Sequence, residues 1–162
     1  MIYYVINLIF FFLPASRGYG LKRLLLRLNG GKIGTNVRVM RIRVQGIKIE
    51  IGDNTFIGDE ALIMGTTGTK VTIGKNCDIS SRVNIITGTH KLGDIHQAAG
   101  QGYGEDIVIG DGVWVGFGAT ILTGIKIGNG SVIAAGSVVK DNVPEGVMVA
   151  GVPAVIKKYL YK

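Results

Sequence analysis

The sequence has few of the residues on which several classes of protein depend. It contains one cysteine, Cys77, among 162 residues, which excludes an internal disulfide framework and a zinc site of several thiolates. Its two histidines, His90 and His96, leave little scope for a histidine-rich metal centre. Three prolines, together with glycines that follow no three-residue period, exclude collagen. Because 47% of the residues are hydrophobic and only 18% are charged, we expect a globular domain rather than a disordered chain.

Acidic residues are absent from the first 49 positions, where nine lysines and arginines stand. The other nine basic residues face eleven acidic ones, which gives that part of the chain a net charge of −2. A nucleic-acid-binding domain usually spreads its basic residues over one docking face. Here the charge adjoins an apolar N-terminus, so we expect a membrane surface rather than a nucleic acid as its partner.

Residues 1–32 are predicted to form an N-terminal helical segment. Residues 1–13 are apolar apart from Asn7 and two tyrosines, and the run is too short to cross a bilayer, which takes a helix of about 20 residues. Pro14 and Gly18 interrupt it, after which one helical face gathers Leu21, Leu24, Leu25 and Leu28. Two interpretations remain open. The segment is a cap that packs on the domain or on a neighbouring subunit, or residues 1–28 hold the protein on anionic lipid.

From residue 33 onward an aliphatic residue recurs every six positions. The series comprises Ile33, Val39, Ile51, Ile57, Ile63, Ile73, Ile79, Ile85, Ile109, Val115, Ile121, Ile127, Ile133 and Val139. Alternating strands have a period of two and helices one of 3.6, so neither produces a period of six. A parallel β-helix does, because each six residues make one side of a prism and the aliphatic side chain stacks inside it, about 4.8 Å from its neighbour in the next coil. We therefore predict an all-β solenoid over residues 33–162.

The six-residue phase breaks down between residues 91 and 108. The inward positions there would be Lys91, Gln97 and Tyr103, and burying such polar side chains is costly. We therefore expect residues 91–106, approximately, to leave the prism as a glycine-rich loop without regular structure. Long loops in compact domains usually carry function. This excursion, which begins near Thr89 and ends near Ile107, includes both histidines.

The most specific motifs lie in the C-terminal half of the chain. They are V-W-V-G at 113–116, I-L-T-G-I-K-I-G at 121–128, V-I-A-A-G-S-V-V-K at 132–140 and A-G-V-P-A at 150–154. With I-T-G-T-H-K at 86–91, they resemble the hexapeptide-repeat acyltransferases, especially the galactoside, maltose and serine acetyltransferase branch and its relatives that acetylate bacterial polysaccharides. Carbonic anhydrases of the same fold use three zinc histidines and match this chain poorly, so no metal is expected.

The resemblance, which covers residues 33–158, implies a left-handed β-helix with a C-terminal tail that assembles as a homotrimer. It also implies that acetyl-CoA, as acyl-donor co-substrate, lies in a groove between neighbouring prisms. Positions that match the groove are Trp114, Gly116, Phe117, Ala135, Gly136, Lys140 and Lys158, the last with Lys157 as a rival. The backbone N–H near Gly116 and Phe117 is the expected donor to the oxyanion of the reaction.

The family's catalytic histidine stands at the start of the extruded loop, and that position matches His90. An imidazole suits a general base, because the ordinary pKa of histidine lies near 6.5. His96 matches no motif position. Glu60, Asn84 and Asp94 remain alternative candidates for orienting the catalytic ring or contacting the acceptor.

The function implied by the resemblance is an O-acetyltransferase that modifies a hydroxyl of a bacterial surface saccharide or its precursor. Such an enzyme works in the cytoplasm, here in peripheral contact with the inner face of the membrane if the N-terminal segment is an anchor. One alternative is an N-acetyltransferase that acts on a nucleotide-linked amino sugar. Another is a non-catalytic β-helix scaffold, which has no need of His90 in an extruded loop or of the complete C-terminal motif.

Overall fold

The computed structural model describes residues 2–161, so Met1 and Lys162 of the two predicted segments lie outside the described residues. Two helices, α1 (Ile2–Phe12) and α2 (Tyr19–Leu28), precede a long series of short strands. The strands are β1 (Lys32–Ile33), β2 (Arg38–Val39), β3 (Arg43–Gln45), β4 (Lys48–Ile51), β5 (Phe56–Ile57), β6 (Leu62–Met64), β7 (Lys70–Ile73), β8 (Asp78–Ile79), β9 (Asn84–Ile86), β10 (Gly88–Leu92), β11 (Ala99–Gly104), β12 (Ile107–Ile109), β13 (Trp114–Val115), β14 (Thr120–Ile121), β15 (Lys126–Ile127), β16 (Val132–Ile133), β17 (Val138–Val139), β18 (Val147–Gly151) and β19 (Ala154–Tyr159).

The strands wind around one prism with three faces. Face A consists of β1, β4, β7, β12 and β15; face B of β2, β5, β8, β13, β16, β18 and β19; and face C of β3, β6, β9, β14 and β17. Neighbours on a face pair in parallel and belong to successive coils, apart from the antiparallel pair β18–β19 at the C-terminal end. This arrangement confirms the predicted left-handed parallel β-helix, here of five coils on face A.

The predicted six-residue series forms the core of the prism. All fourteen of its members are at most 7% exposed. Equivalent residues of successive coils are in register, as Ile85, Ile121 and Val139 are on face C. Where the series is interrupted, Val44 is buried and Gln45 points outward, so the flanking residue takes the inward position.

The predicted excursion leaves the prism, but it is a β-hairpin rather than an irregular loop. Strand β10 pairs antiparallel with β11, with His90 opposite Gly102. The register shifts between His90 and Leu92, and residues 93–98 form the tip between the two strands. Glycine disfavours strands, so the sequence of β11 carries little strand signal. The backbone ladder itself needs no side chains, which is why glycines are tolerated in it.

The two helices close the N-terminal end of the prism. Ile6, Phe10 and Leu26 are buried and join the core. The side-chain amide of Asn7 donates to the carbonyl of Val44 (3.0 Å) and accepts from its N–H (3.1 Å). An open strand edge otherwise leaves such groups unpaired. The helices therefore act as a cap on the body of the domain, which was one of the two interpretations of this segment.

The face of α2 that packs on the prism is not the predicted leucine face. Lys22 and Leu26 are buried, whereas Leu21, Leu24 and Leu28 are exposed and Leu25 is half-buried. The Lys22 ammonium donates to the carbonyls of Pro14 (3.0 Å) and Ala15 (2.8 Å), in the turn that joins α1 to α2. Burial lowers the pKa of Lys22. A buried lysine is tolerated here because its ammonium donates hydrogen bonds to carbonyl groups that would otherwise lack a donor.

Candidate active site

His90 lies where the chain leaves face C for the hairpin, before it resumes on face A at β12. We call this edge of the prism, between faces C and A, the hairpin margin. The Nδ1 atom of His90 is 2.9 Å from the carbonyl oxygen of Gly100, in the opposite strand of the hairpin. A carbonyl oxygen only accepts, so in the neutral ring Nδ1 carries the proton and Nε2 has a lone pair. Nε2 is then the atom that can take a proton from a substrate.

A cavity of about 360 Å³ lies beside His90. Its lining combines outward residues of face C with the base of the hairpin: Met64, Gly65, Thr66, Ile86, Gly88, Thr89, His90 and Gly102. His90 itself is exposed, so its ring can be reached by a molecule that enters this cavity.

Most residues predicted for the cofactor groove lie at the opposite edge of face C. Gly116 and Phe117 form the turn from β13 on face B to β14 on face C, and Ala135 and Gly136 form the same turn one coil later. We call this edge, between faces B and C, the groove margin. Gly116 is required there, because a Cβ atom on it would lie only 2.5 Å from the backbone nitrogen of Ala135.

The oxyanion donor is expected to be the backbone N–H of Gly116 or of Phe117, and these two groups differ in whether they are already hydrogen-bonded. The N–H of Gly116 donates to the carbonyl of Ile133 (2.8 Å), so it is occupied by the β-helix itself. Within residues 2–161, the N–H of Phe117 has no hydrogen-bond acceptor. At the same turn in an earlier coil, the N–H of Asp59 donates to Oγ of Ser81 (3.1 Å). In the next coil, the position equivalent to Phe117 is occupied by Ala135, and the side chain of alanine offers no hydrogen-bond acceptor.

Trp114 and Lys158 share a row on face B. Trp114 pairs with Val132, Val132 with Met148, and Met148 with Lys158. Both Trp114 and Lys158 are exposed, and the indole N–H of Trp114 lies 3.4 Å from Oγ of Ser80.

Lys140 and Lys157 stand apart from that row. Lys140 follows β17 on face C, at the hairpin margin, and its ammonium pairs with Asp141 (2.8 Å). Lys157 is exposed beside Lys158 in β19. The structure thus places one predicted groove residue, Lys140, on the same margin as His90.

Within residues 2–161, none of the three candidates for orienting His90 forms a hydrogen bond or an ion pair with its ring. Glu60 accepts from Nε of Arg82 (2.6 Å) at the groove margin. Asn84 donates to Oγ1 of Thr120 (3.3 Å). Asp94, at the hairpin tip, accepts from the N–H groups of His96 (2.9 Å) and Gln97 (3.1 Å). The contact that holds the ring in one chain is instead the carbonyl of Gly100, which no side-chain pattern in the sequence could have revealed.

Glu60 and Asn84 do line a second cavity, of about 500 Å³, near the groove margin. The cavity extends from the turns onto face C and is closed by α1, with the lining Asn7, Phe11, Arg41, Ile42, Arg43, Glu60, Leu62 and Asn84. Within residues 2–161 the chain therefore presents an accessible imidazole at one margin of face C, and an unpaired backbone N–H with polar side chains at the other.

An ion pair stabilises the turn beside this second cavity. The guanidinium of Arg41 donates to both carboxylate oxygens of Asp59 (3.0 and 2.6 Å), and the backbone N–H of Arg41 adds a third bond (3.2 Å). These bonds hold the pKa of Asp59 below its usual range. These bonds thus join the turn of the first coil that carries Arg41 to the turn of the second coil that carries Asp59.

Asp59→Asn should lower the free energy of unfolding by about 1 kcal/mol at neutral pH. Because the pKa of Asp59 is lowered by folding, its contribution is present above the ordinary value of 3.8 and is lost as pH falls through the folded-state value. Urea unfolding at neutral and acid pH measures this, with the exposed Asp78→Asn as control. A loss of stability that is as large in strong acid as at neutral pH would contradict the assignment.

Comparison with known protein families gives two matches within the prism. One is "Bacterial transferase hexapeptide (six repeats)", over residues 106–141, and the other is "Hexapeptide repeat of succinyl-transferase", over residues 48–85. Both matches fall on the six-residue series that builds the core.

Several curated proteins are similar in sequence. WcaF of Escherichia coli, named for acetyl transfer in colanic acid biosynthesis, is 35% identical over 141 residues, which are 85% of this chain and 74% of WcaF. Polysialic acid O-acetyltransferase of Escherichia coli is 41% identical over 118 residues, which are 72% of this chain and 38% of that protein. The chain spans only 59%, 58% and 60% of the length of three other relatives, among them nodulation protein L of Rhizobium meliloti.

Solved structures extend the likeness to nearly the whole chain. A hexapeptide-repeat acetyltransferase of Vibrio cholerae, complexed with acetyl-CoA, superposes with a TM-score of 0.82 at 29% identity, covering 99% of this chain and 86% of that one. A galactoside acetyltransferase in complex with CoA gives 0.83 at 27% identity, covering 98% and 79%. On the strength of its repeat, its fold and these relatives, the chain belongs to the hexapeptide-repeat acetyltransferase family.

Proposed function

We propose that this protein is an acetyl-CoA-dependent O-acetyltransferase that acts on a hydroxyl of a bacterial surface saccharide or its precursor, on the cytoplasmic side of the membrane. The observation that carries the proposal is the bond from Nδ1 of His90 to the Gly100 carbonyl, which leaves Nε2 with its lone pair beside an open cavity. Relatives named for O-acetylation of saccharides supply the choice of acceptor class.

Two groups of the chain carry the proposed reaction, the imidazole of His90 and the backbone N–H of Phe117. Acetyl-CoA supplies the acetyl group as a thioester. Nε2 of His90 removes the proton of the acceptor hydroxyl as its oxygen forms a bond to the thioester carbonyl carbon. The N–H of Phe117 donates to the carbonyl oxygen while that oxygen carries negative charge. His90 then returns the proton to the departing sulfur, so the ring ends as it began.

These groups stand at two margins of one chain, which supports a site shared between copies. In a trimer, the hairpin margin of one prism would meet the groove margin of the next, and a ring of such head-to-tail contacts closes after three copies. Five outward side chains of face C that would lie between them are apolar: Leu62, Met64, Ile86, Leu122 and Val138. Covering such a surface is typical of stable interfaces. Glu60 or Asn84 of one copy would then stand near His90 of another and contact the acceptor there.

The reaction is tested by incubating the full chain with acetyl-CoA and a panel of oligosaccharides, and by following free thiol and the mass of the product. Amino sugars linked to nucleotides form the second arm, because they would reveal N-acetylation. We expect thiol release that depends on a hydroxyl acceptor, with a product that is labile to mild alkali. Tight acetyl-CoA binding without transfer to any acceptor in the panel would favour the scaffold alternative and contradict the proposal.

Ala135→Ser should lower turnover about tenfold or more, with little change in stability. A serine at the equivalent turn, Ser81, already accepts the N–H of Asp59, so the hydroxyl introduced by this substitution would occupy the N–H of Phe117 in the same way. Removing one oxyanion donor typically costs about 10²–10³-fold in turnover, and partial occupation costs less. Ala135→Cys serves as control, because a cysteine side chain is nearly the size of a serine side chain but its sulfur is only a weak hydrogen-bond acceptor. Equal turnover of the two variants would contradict the assignment of Phe117.

A further inference from the structure

The N-terminal cap carries an apolar surface that nothing in the described chain covers. On α1 and α2 it consists of Tyr4, Val5, Leu8, Phe11, Phe12, Leu21, Leu24 and Leu28, each between 45% and 75% exposed. We call this set the end face. Eight large apolar side chains on two adjoining helices are more than the scattered exposed residues of an ordinary surface.

Apart from Phe11, which also borders the second cavity, the end face points away from the prism. On α1 the residues buried against the first coil are Ile6 and Phe10, and on α2 they are Lys22 and Leu26. In each helix the exposed stripe lies opposite that buried pair, since residues four apart share a side of a helix. Both helices lie across the same end of the solenoid, so both stripes are turned outward from that end.

A ring of positive charge stands directly behind the end face. The first coil places Arg38 outward on face B and Arg43 outward on face C, and the start of the second coil places Lys48 outward on face A. All three are exposed, and none forms an ion pair with a residue in the range 2–161. Arg17, in the turn between the helices, is also exposed and adds a fourth positive charge.

No acidic side chain offsets this charge anywhere in the sequence up to Lys48. The first acid in the sequence is Glu50, and its carboxylate is engaged by Lys32 (3.1 Å) and Lys70 (3.6 Å). An apolar surface bordered by unpaired cations matches one chemical partner in particular, a bilayer whose head groups are anionic.

We propose that the end face docks on the surface of a membrane rich in anionic phospholipid, with the prism standing away from the bilayer. The apolar stripes of α1 and α2 enter the interfacial layer, while Arg17, Arg38 and Lys48 meet the head groups. The contact is peripheral. Within residues 2–161 no helix is long and apolar enough to cross a bilayer. The cap would thus have both roles considered for the N-terminal segment: one side of each helix packs on the prism, and the other side contacts the membrane.

The test is flotation of the full chain with vesicles of phosphatidylglycerol and phosphatidylcholine in equal parts. Deleting residues 1–28 would uncover the strand edges of the first coil, so point variants on the exposed stripe are preferable. Leu8→Glu with Phe12→Glu should reduce the bound fraction about tenfold, because it replaces apolar contacts with charges that the lipid repels. The matched control is Val155→Glu with Tyr159→Glu, which alters two exposed residues (51% and 72%) near the opposite end of the prism.

A second pair of variants isolates the charge. Arg38→Gln with Lys48→Gln should weaken binding to the mixed vesicles about tenfold and abolish most of its dependence on salt. Vesicles of phosphatidylcholine alone should bind the wild-type protein weakly. These measurements need no acetyl transfer, so their outcome is independent of the proposed enzymatic function.

Two results would overturn the proposal. One is equal flotation of the wild type and the Leu8→Glu, Phe12→Glu variant. The other is absence of wild-type binding to the mixed vesicles. If the mass in solution also falls when Leu8 and Phe12 are replaced, the end face is instead a contact between copies of this chain. Circular dichroism of each variant, compared with wild type, verifies that the fold is retained.

Discussion

Replacing His90 with alanine should lower turnover by about 10²–10⁴-fold and leave the fold intact. The side chain is exposed on the hairpin, and its one hydrogen bond within residues 2–161 goes to the Gly100 carbonyl. Its loss therefore removes the proposed proton acceptor and leaves the core untouched. Acetyl-CoA binding should be retained, since the predicted groove residues belong to the prism and to β19 and do not depend on the His90 side chain for their positions.

His90→Asn and His96→Ala make this prediction sharper. Asparagine preserves a donor for Gly100 but supplies no base, so turnover should stay as low as in the alanine variant. His96 is exposed at the hairpin tip and matches no family position, so its replacement should leave turnover within about twofold of wild type. Steady-state kinetics with a saccharide acceptor measure all three. Turnover near wild type in His90→Ala would refute the assignment of the base.

Ile121→Ala should lower the free energy of unfolding by about 3 kcal/mol. The side chain is fully buried and stacks in register between Ile85 and Val139 on face C. In a solenoid each coil contacts only its neighbours, so the cavity left by three missing carbons cannot be filled from elsewhere. Since a domain of this size is stable by only about 5–15 kcal/mol, the loss is a large fraction of the total.

Lys126→Ala provides the comparison for Ile121. It lies on the next strand along the chain, and its side chain is exposed on face A. Removing it should change the free energy of unfolding by less than about 0.5 kcal/mol. Urea unfolding followed by circular dichroism measures both variants. If the two lost the same stability, the inward stack of face C would not be the source of the protein's stability.

The repeat in the sequence was enough to predict the prism. A six-residue period of aliphatic residues can be satisfied by a three-sided coil, because each turn of the prism returns the same side chain to the interior. The fourteen predicted positions are all buried for that reason. The break in the period likewise located the extruded segment, since Lys91, Gln97 and Tyr103 do not fit a core. The candidate base came from the resemblance to the acyltransferases, whose catalytic histidine stands at the start of the extruded loop, where His90 lies.

The conformation of the excursion and the packing of α2 could not be predicted in the same way. Strand β11 is rich in glycine and pairs with β10 through backbone hydrogen bonds, so its side chains give no strand pattern in the sequence. In α2 the leucines suggested the buried face, yet Lys22 is buried instead because its ammonium reaches the carbonyls of Pro14 and Ala15. Such contacts join residues through space, and a hydrophobic pattern records only the tendency of each residue to avoid water.

By itself, then, the sequence determined the solenoid, its core and the place of its one histidine at the start of the hairpin. The tertiary structure decided where the working groups stand relative to one another. It placed His90 and the turn of Phe117 at opposite margins of face C, because each corner of the prism falls at a different point of the repeat. It also left the N–H of Phe117 unpaired within residues 2–161, since the next coil offers Ala135 at that corner. Register between coils sets both features, and register exists only once the chain has wound upon itself.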